Sequence, residues 1–368
     1  MNIWVDAKNP ALYSSGISTW LETMLNDVDA GIKKQITLVY PRISDRAIYP
    51  EMDIARISLP WFSFLPKRVS QIIYDNFTFR IFARIKRPSV IFSPYFDVIM
   101  PRNIPSVISI HDICYLEAAQ YYSRAQRAYF NSAMFRNMRR AKQFVTVSQT
   151  SRDELVKTLG LSSSAIHLVT NQPNQVFSDY APSASEITQF RNRFEIGSKL
   201  VLYSSGYENR KNIPNLLKAF KLLSNLHPEI HLLVTGKQQS KWASIIAEDV
   251  DLKRNISFLG FLSETEMKIA YSAVNAVVFP SMSEGLGMAS LEAMETGTAL
   301  ACSDLPIFRE LAANYAIFFD PTDPAAIAAG IKEATAMGPQ PPRKFDPTVR
   351  LHALSTLWKS ISSLGSES

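Results

Sequence analysis

Ten short apolar runs, separated by amphipathic stretches, constrain the fold of this chain more than any other feature. Five lie in the first half, "NIWVD", "ITLVY", "SVIFSP", "SVISIH" and "QFVTVS", and five in the second, "KLVLYSSG", "IHLLVTG", "ISFLGF", "AVVFP" and "TALACSD". Strands that are apolar almost throughout must be covered on both faces, and intervening helices supply that cover, so the pattern predicts parallel sheets. At 368 residues the chain is long enough for two cores. The expected class is α/β, with two doubly wound domains in tandem whose strand ends face a cleft. Their spans are read as 1–178 and 179–345, divided within "TNQPNQVFSDYAPSASE", a stretch rich in Asn, Ser and Pro that lacks periodicity. A last helical pattern, in 346–368, places Leu351, Leu354, Leu357, Trp358 and Ile361 on one face, expected to pack back on the first domain.

Composition removes several classes. Apolar residues make up 46% and charged residues 20%, the balance of a globular chain rather than a disordered one. The start "MNIWVDAKNP" lacks a basic head followed by an apolar core, and no run of about 18 apolar residues occurs, so neither a signal peptide nor a membrane span is expected. Cys114 and Cys302, the only two cysteines, sit inside strand patterns in different halves and read as reduced core residues of a cytoplasmic protein. Five scattered histidines give no zinc spacing.

The net charge of +6 is uneven. Residues 1 to 180 hold 21 Lys/Arg against 14 Asp/Glu, whereas residues 181 to 368 hold 18 against 19. Trp61 to Pro88 carries six basic residues and one acid among aromatics and isoleucines; Arg124 to Lys142 carries six basic residues and no acid. In the second stretch Phe130, Met134, Met138 and Ala141 recur at helical spacing, with Arg136, Arg139 and Arg140 turned elsewhere. Such stretches suit an anionic membrane surface, and equally a solvated helix face around an ordinary core stripe.

Open parallel sheets bind ligands at the carboxyl ends of their strands, and polar residues gather there. His111 and Asp112 follow "SVISI"; Gly206, Arg210 and Lys211 follow "LVLYS"; Gly236 and Lys237 follow "HLLVT"; Glu284 follows "AVVFP"; and Gly16 opens a helix after "NIWVD". The stretch "PSMSEGLGMASLEAMETG" places Glu284 and Glu292 on either side of a glycine turn, at a strand-to-helix corner. A helix start offers unpaired amides and a partial positive charge to a phosphate, yet two acids repel a bare one. A nucleotide-diphosphate sugar meets both conditions, with its phosphates at the amides and its hydroxyls at the carboxylates. Acids that merely complement the helix dipole are the plainer alternative.

These residues, in this order, resemble a known family. "SSGYENRKNIPNLLKAF", "HLLVTG", the stretch from "NISFLGF" to "ALACSD", and "FFDPTDPAAIA" are similar to the C-terminal domain of retaining glycosyltransferase family 4; "SVISIHDICYLEAAQYYSRAQRAYF" and "FVTVSQTSRDEL" resemble its N-terminal domain. The likeness covers nearly the whole chain and is weakest from 40 to 90. It implies a GT-B fold of two Rossmann-like domains, acceptor side first and donor side second, and a metal-independent hexosyl transfer of the kind found in bacterial mannosyltransferases of surface polysaccharide synthesis. It further implies that Glu292 holds the donor ribose, Glu284 the donor sugar, and the backbone at Gly287, Met288 and Ala289 the diphosphate. By the same likeness Arg210 and Lys211 neutralise the leaving diphosphate, His111 lies close to the sugar, and Gly16 and Gly206 let loops approach the phosphates. The implied partners are a nucleotide-sugar donor, a glycan or lipid-linked acceptor and an anionic membrane surface, with no nucleic acid and no cofactor or metal, on the inner face of the cytoplasmic membrane.

The chain departs from the family where many members have a phenylalanine at position 286 and Leu-Pro at 288 and 289, an arginine at the position of Tyr207, and an Asn-Gly-Val-Asp turn where this chain reads Asn171-Gln172-Pro173-Asn174. Alternatives are a sugar-nucleotide epimerase on the same fold and a non-enzymatic polyanion binder. A metal-dependent GT-A transferase would need a placed Asp-x-Asp; Asp27-Val28-Asp29 and Asp249-Val250-Asp251 stand instead at the ends of helical patterns.

Overall fold

The computed structural model describes the chain apart from residues 9–15, 42–51, 58–64, 194–198, 237–241, 243–244, 247 and 367–368. It forms two compact units, Met1–Asn171 together with Asp346–Ser368, and Gln172–Phe345. Lys237 and the 61–64 end of the first basic stretch lie outside the described residues.

The first unit is built on a seven-stranded sheet. Its strands are β1 (Ile3–Asp6), β2 (Ile36–Pro41), β3 (Asp53–Ile57), β4 (Val90–Ser93), β5 (Ser106–Ser109), β6 (Gln143–Thr146) and β7 (Ile166–Leu168), in the order β3-β2-β1-β4-β5-β6-β7. The second unit has β8 (Lys199–Tyr203), β9 (Ile230–Thr235), β10 (Ile256–Gly260), β11 (Ala276–Phe279), β12 (Ala299–Ser303) and β13 (Ala316–Phe319), in the order β10-β9-β8-β11-β12-β13. Every pairing in both sheets is parallel. β1, β4, β5, β11 and β12 are buried at every residue, as the apolar runs require when helices cover both faces.

Three strands are not among the predicted runs: β3 and β7, which mix in polar residues, and β13, a run of only four residues. Each is the edge of its sheet. An edge strand has one neighbour and is less completely covered, so its sequence is free to mix polar residues in, as Asp53 in β3 and His167 in β7 do.

The boundary between the units falls after Asn171 rather than at 178. The short helix Gln175–Asp179 is held by the second unit: Lys268 Nζ donates to Phe177 O at 2.7 Å, and the Phe177 ring meets Tyr271 edge-on at 5.8 Å. The linker stretch is also more ordered than its composition suggests, because Ser183 and Glu186 form a reciprocal cap that starts the helix Ala184–Asn192.

The last helix, Pro347–Ser366, belongs to the first unit, where it buries Leu354, Leu357, Trp358 and Ile361 and sets Trp358 against Phe92 of β4 at 5.9 Å. Leu351 departs from the expected face and is 41% exposed; in that turn Arg350 bonds Asp27 instead. Cys114 and Cys302 are both buried, and neither forms a disulfide.

Candidate functional site

In the second unit the loops after β8 and β11 are tied together, the backbone of Met282 donating to Arg210 O at 2.8 Å and Arg210 Nη1 to Ser283 O at 3.0 Å. At their meeting point Glu284 accepts from Lys211 Nζ at 2.5 Å, Arg210 Nη1 at 3.0 Å and Ser281 Oγ at 2.7 Å. The sequence treats Arg210 and Lys211 as cations apart from Glu284; the fold joins all three. The Glu284 side chain is only 6% exposed. Burial works against its charge, but the Lys211 ammonium and the Arg210 guanidinium outweigh it and hold the carboxyl down at about 2.

The chain then enters the helix Met288–Thr296 through Gly287, whose φ of +78° favours glycine, and a Cβ there would stand 2.8 Å from the Phe308 ring. No side chain caps this helix, so the amides of Met288 and Ala289 face outward with the positive end of its dipole. One turn further on, Glu292 accepts from Tyr271 OH at 3.0 Å, and Tyr271 OH stands 2.7 Å from Ser204 Oγ, just beyond β8. Burial pushes the Glu292 carboxyl up to about 7, opposed by the Tyr271 bond. Two glutamates eight residues apart are thus in opposite states, one fixed as an anion and one titrating near neutral pH. Gly206 O accepts from Tyr203 OH at 2.6 Å, and the Glu208 carboxylate folds over the glycine where a Cβ would sit. Tyr207 donates to Thr235 O at 3.0 Å.

His111 and Gly16 belong to the first unit. Nε2–H of His111 donates to Pro94 O at 3.1 Å, which leaves Nδ1 as an acceptor, and Trp20 meets the ring edge-on at 4.8 Å. Burial lowers its pKa to about 4, so the imidazole is neutral at pH 7. Gly16 opens the helix Gly16–Asn26, and the next residue, Ile17, lines the same cavity as His111.

The Asp-x-Asp sequences have structural work. Asp27 pairs with Arg350, Asp29 caps Gly31 N at 2.8 Å, and Asp249 pairs with Lys221 at 2.6 Å. The side chain of Asp251 is outside the described residues.

Two family models match the chain: Glycosyltransferase Family 4 over residues 29–171 and Glycosyl transferases group 1 over residues 185–349. The chain belongs to the glycosyltransferases. The transferase is 28% identical over 256 residues to the O-antigen chain mannosyltransferase RfbU of Salmonella typhimurium, covering 69% of this chain and 67% of that relative. Its fold is GT-B. It superposes on WaaG, a glycosyltransferase involved in lipopolysaccharide biosynthesis, with a TM-score of 0.71 at 13% identity, covering 99% of this chain and 98% of the other. It also superposes on Anabaena Alr3699/HepE in complex with UDP-glucose, with a TM-score of 0.66 at 15% identity, covering 100% and 98%.

Ser281, Ser204 and Tyr271 orient the transferase's two glutamates and were not singled out from the sequence. Tyr271 lies in "MKIAYSAVNA", where it reads only as one more apolar position of a helix, and its hydroxyl partners come from segments far along the chain.

The raised pKa of Glu292 has a stability consequence. Its folded-state pKa of about 7 exceeds the ordinary 4.5, so the folded chain holds more protons between these values and loses stability as pH rises through that window. Glu292→Gln keeps an acceptor for Tyr271 and removes this cost. At pH 8 the variant is expected to be more stable than wild type by roughly 1–3 kcal/mol, the gain vanishing near pH 4. Urea unfolding at both pH values measures it, and an equal or lower stability at pH 8 would contradict the electrostatic assignment.

Proposed function

We propose that the chain is a retaining, metal-independent hexosyltransferase. It moves a hexose, mannose by likeness to its relatives, from a nucleotide-diphosphate sugar to a lipid-linked oligosaccharide or polysaccharide acceptor at an anionic membrane face. The observation that carries this reading is the Lys211–Glu284–Arg210 group beside the uncapped start of the helix Met288–Thr296. In this reading Glu292 takes the ribose hydroxyls and Glu284 the sugar hydroxyls. The amides of Gly287, Met288 and Ala289 take the diphosphate, and Gly206 lets the loop after β8 lie close to it.

The two cations share one carboxylate, so the group keeps an excess positive charge. Glu284 fixes both cations before the donor arrives, and charge already in position needs no reorganisation as the diphosphate departs. The acceptor hydroxyl attacks from the face that the diphosphate leaves, and a phosphate oxygen takes its proton. Neutral His111, in the first unit, offers Nδ1 to a sugar hydroxyl.

Negative charge on the diphosphate grows as the bond breaks, so Lys211→Ala is expected to lower kcat by about 10²–10³, Arg210→Ala by a similar factor, and Lys211→Arg by less because the charge is kept. Turnover of folded variants, matched by thermal unfolding, tests this; near-wild-type kcat in both alanine variants would sink the diphosphate assignment. With the cations supplied by side chains, nucleotide release from a panel of GDP- and UDP-sugars should survive EDTA. Activity lost to chelation and restored by Mn²⁺ would remove the metal-independent reading.

The membrane part rests on a cluster that joins both basic stretches. Arg80 and Arg84 from the helix Phe79–Lys86, Arg102, and Arg136 and Arg140 lie within one another's fields. Besides burial, only other arginines depress the guanidinium pKa of Arg80 and Arg140, and among the described residues no carboxylate pairs with any of the five. Beside them Phe77, Ile81 and Ile85, four residues apart on one helical face, are 60%, 52% and 67% exposed. Each arginine near an anionic surface adds roughly 1 kcal/mol, attenuated over a Debye length of about 10 Å at 0.1 M salt. Co-sedimentation with phosphatidylglycerol vesicles should therefore fall with salt and fall further in an Arg80/Arg84/Arg136 triple alanine variant. No binding at low salt removes the membrane claim and leaves the transferase claim standing.

A further inference from the structure

The first unit contains a cavity of about 240 Å³ beside His111, whose walls combine stacked aromatics with two carboxylates. Phe96 and Tyr115 lie nearly parallel, 5.6 Å apart, and Phe130 packs against both at 5.6 and 5.5 Å, with Tyr122 at 6.3 Å from Phe130. The carboxylates are Asp97 and Asp112.

Both acids are held by one oxygen. Asp112 Oδ1 accepts from the Cys114 amide at 3.0 Å. Asp97 Oδ1 accepts from Lys8 Nζ at 2.7 Å, and Lys8, 1% exposed, is itself held by Asp75 Oδ1 at 2.7 Å. Asp75 in turn accepts from Gln71 Nε2 at 3.0 Å and Tyr129 OH at 3.3 Å. Burial drives the Asp75 carboxyl up to about 8, which leaves more of the Lys8 charge to Asp97 at neutral pH. Among the described residues no donor reaches the second oxygen of Asp97 or of Asp112. Asp97 is 26% exposed, so its fixed carboxylate remains accessible.

The chemistry of the walls narrows the ligand. Two fixed carboxylates repel phosphates and nucleotides. Stacked rings favour an apolar face, whereas carboxylate oxygens favour hydroxyls at a ligand's edge. The volume lies below the ~300–1,000 Å³ that holds a drug-sized ligand, so it suits a single ring. A pyranose has this form, with C–H groups on its face and hydroxyls around its rim.

We infer that this cavity seats the terminal monosaccharide of the acceptor, with Asp97 and Asp112 accepting hydrogen bonds from its hydroxyls and the aromatic wall taking its apolar face. The inference rests on the transferase reading and adds to it a residue-level acceptor site. Lys8 is a positioning residue that fixes Asp97.

Saturation-transfer NMR of the full chain with methyl α-mannoside, α-glucoside and α-galactoside tests the site, with choline as the cationic control that an acidic aromatic pocket would also attract. At least one hexoside should receive saturation on its ring protons, and Asp97→Asn should weaken it about tenfold or more, the scale for losing a hydrogen bond to a charged group. Tyr122→Leu, which removes one ring of the aromatic wall, should weaken it as well and decides the matter if Asp97→Asn does not fold. Absence of hexoside binding, wild-type binding in the folded variants, or preference for choline overturns the inference. Nucleotide release from the donor panel in wild type separates the two levels. Donor turnover without hexoside binding removes only this site, whereas hexoside binding without any donor turnover removes the transferase reading.

Discussion

A parallel sheet delivers the carboxyl ends of all its strands to one edge, and both units of this chain depend on that constraint. The backbone must return to the start of each strand through a helix, so residues far apart in sequence emerge side by side at that edge. Arg210 and Glu284 meet for this reason, since β8 and β11 are neighbours in the sheet. Asp97 and Asp112 line one cavity because β4 and β5 are neighbours in the other. Gly287 then turns the chain from β11 into a helix whose free amides stand where the loops converge.

Burial of charge gives the two edges opposite characters. A lone buried ion costs several kcal/mol, so Lys211 and Lys8 are both held by carboxylates. In the second unit two cations share Glu284, which leaves excess positive charge suited to a diphosphate. In the first unit Lys8 is held by Asp75 and Asp97, with Asp6 adding to its field, and carboxylate oxygens remain to accept from hydroxyls. The two groups are inverses of each other: one carboxylate between two cations in the second unit, and one lysine between two acids in the first. The five clustered arginines are the contrasting case. They remain near solvent, where hydration offsets their mutual repulsion, and among the described residues no carboxylate pairs with them.

The sequence was most legible where burial is complete. Strands covered on both faces appear as unbroken apolar runs, whereas the edge strands β3 and β7 do not. The cap formed by Ser183 and Glu186 was present in the letters but hidden in a polar stretch that reads as a linker. Leu351 matched the helical period and still faces outward, because periodicity sets a direction around the axis and not how far the underlying sheet extends.

By itself the sequence determined the α/β class, the tandem arrangement, the strand-end positions of His111, Arg210, Lys211 and Glu284, and the glycine turn between Glu284 and Glu292. These depend on local periodicity and on neighbours along the chain, which the letters record directly. Tertiary structure alone decided that Lys211 and Arg210 clasp Glu284, that Tyr271 reaches Glu292, that Lys8 aims Asp97 into an aromatic cavity, and that Arg80, Arg102 and Arg140 form one cluster. Each joins residues separated by many positions, and its geometry comes from the register and order of the strands. No local pattern encodes that order, because a parallel strand finds its neighbours only after the intervening helix has packed.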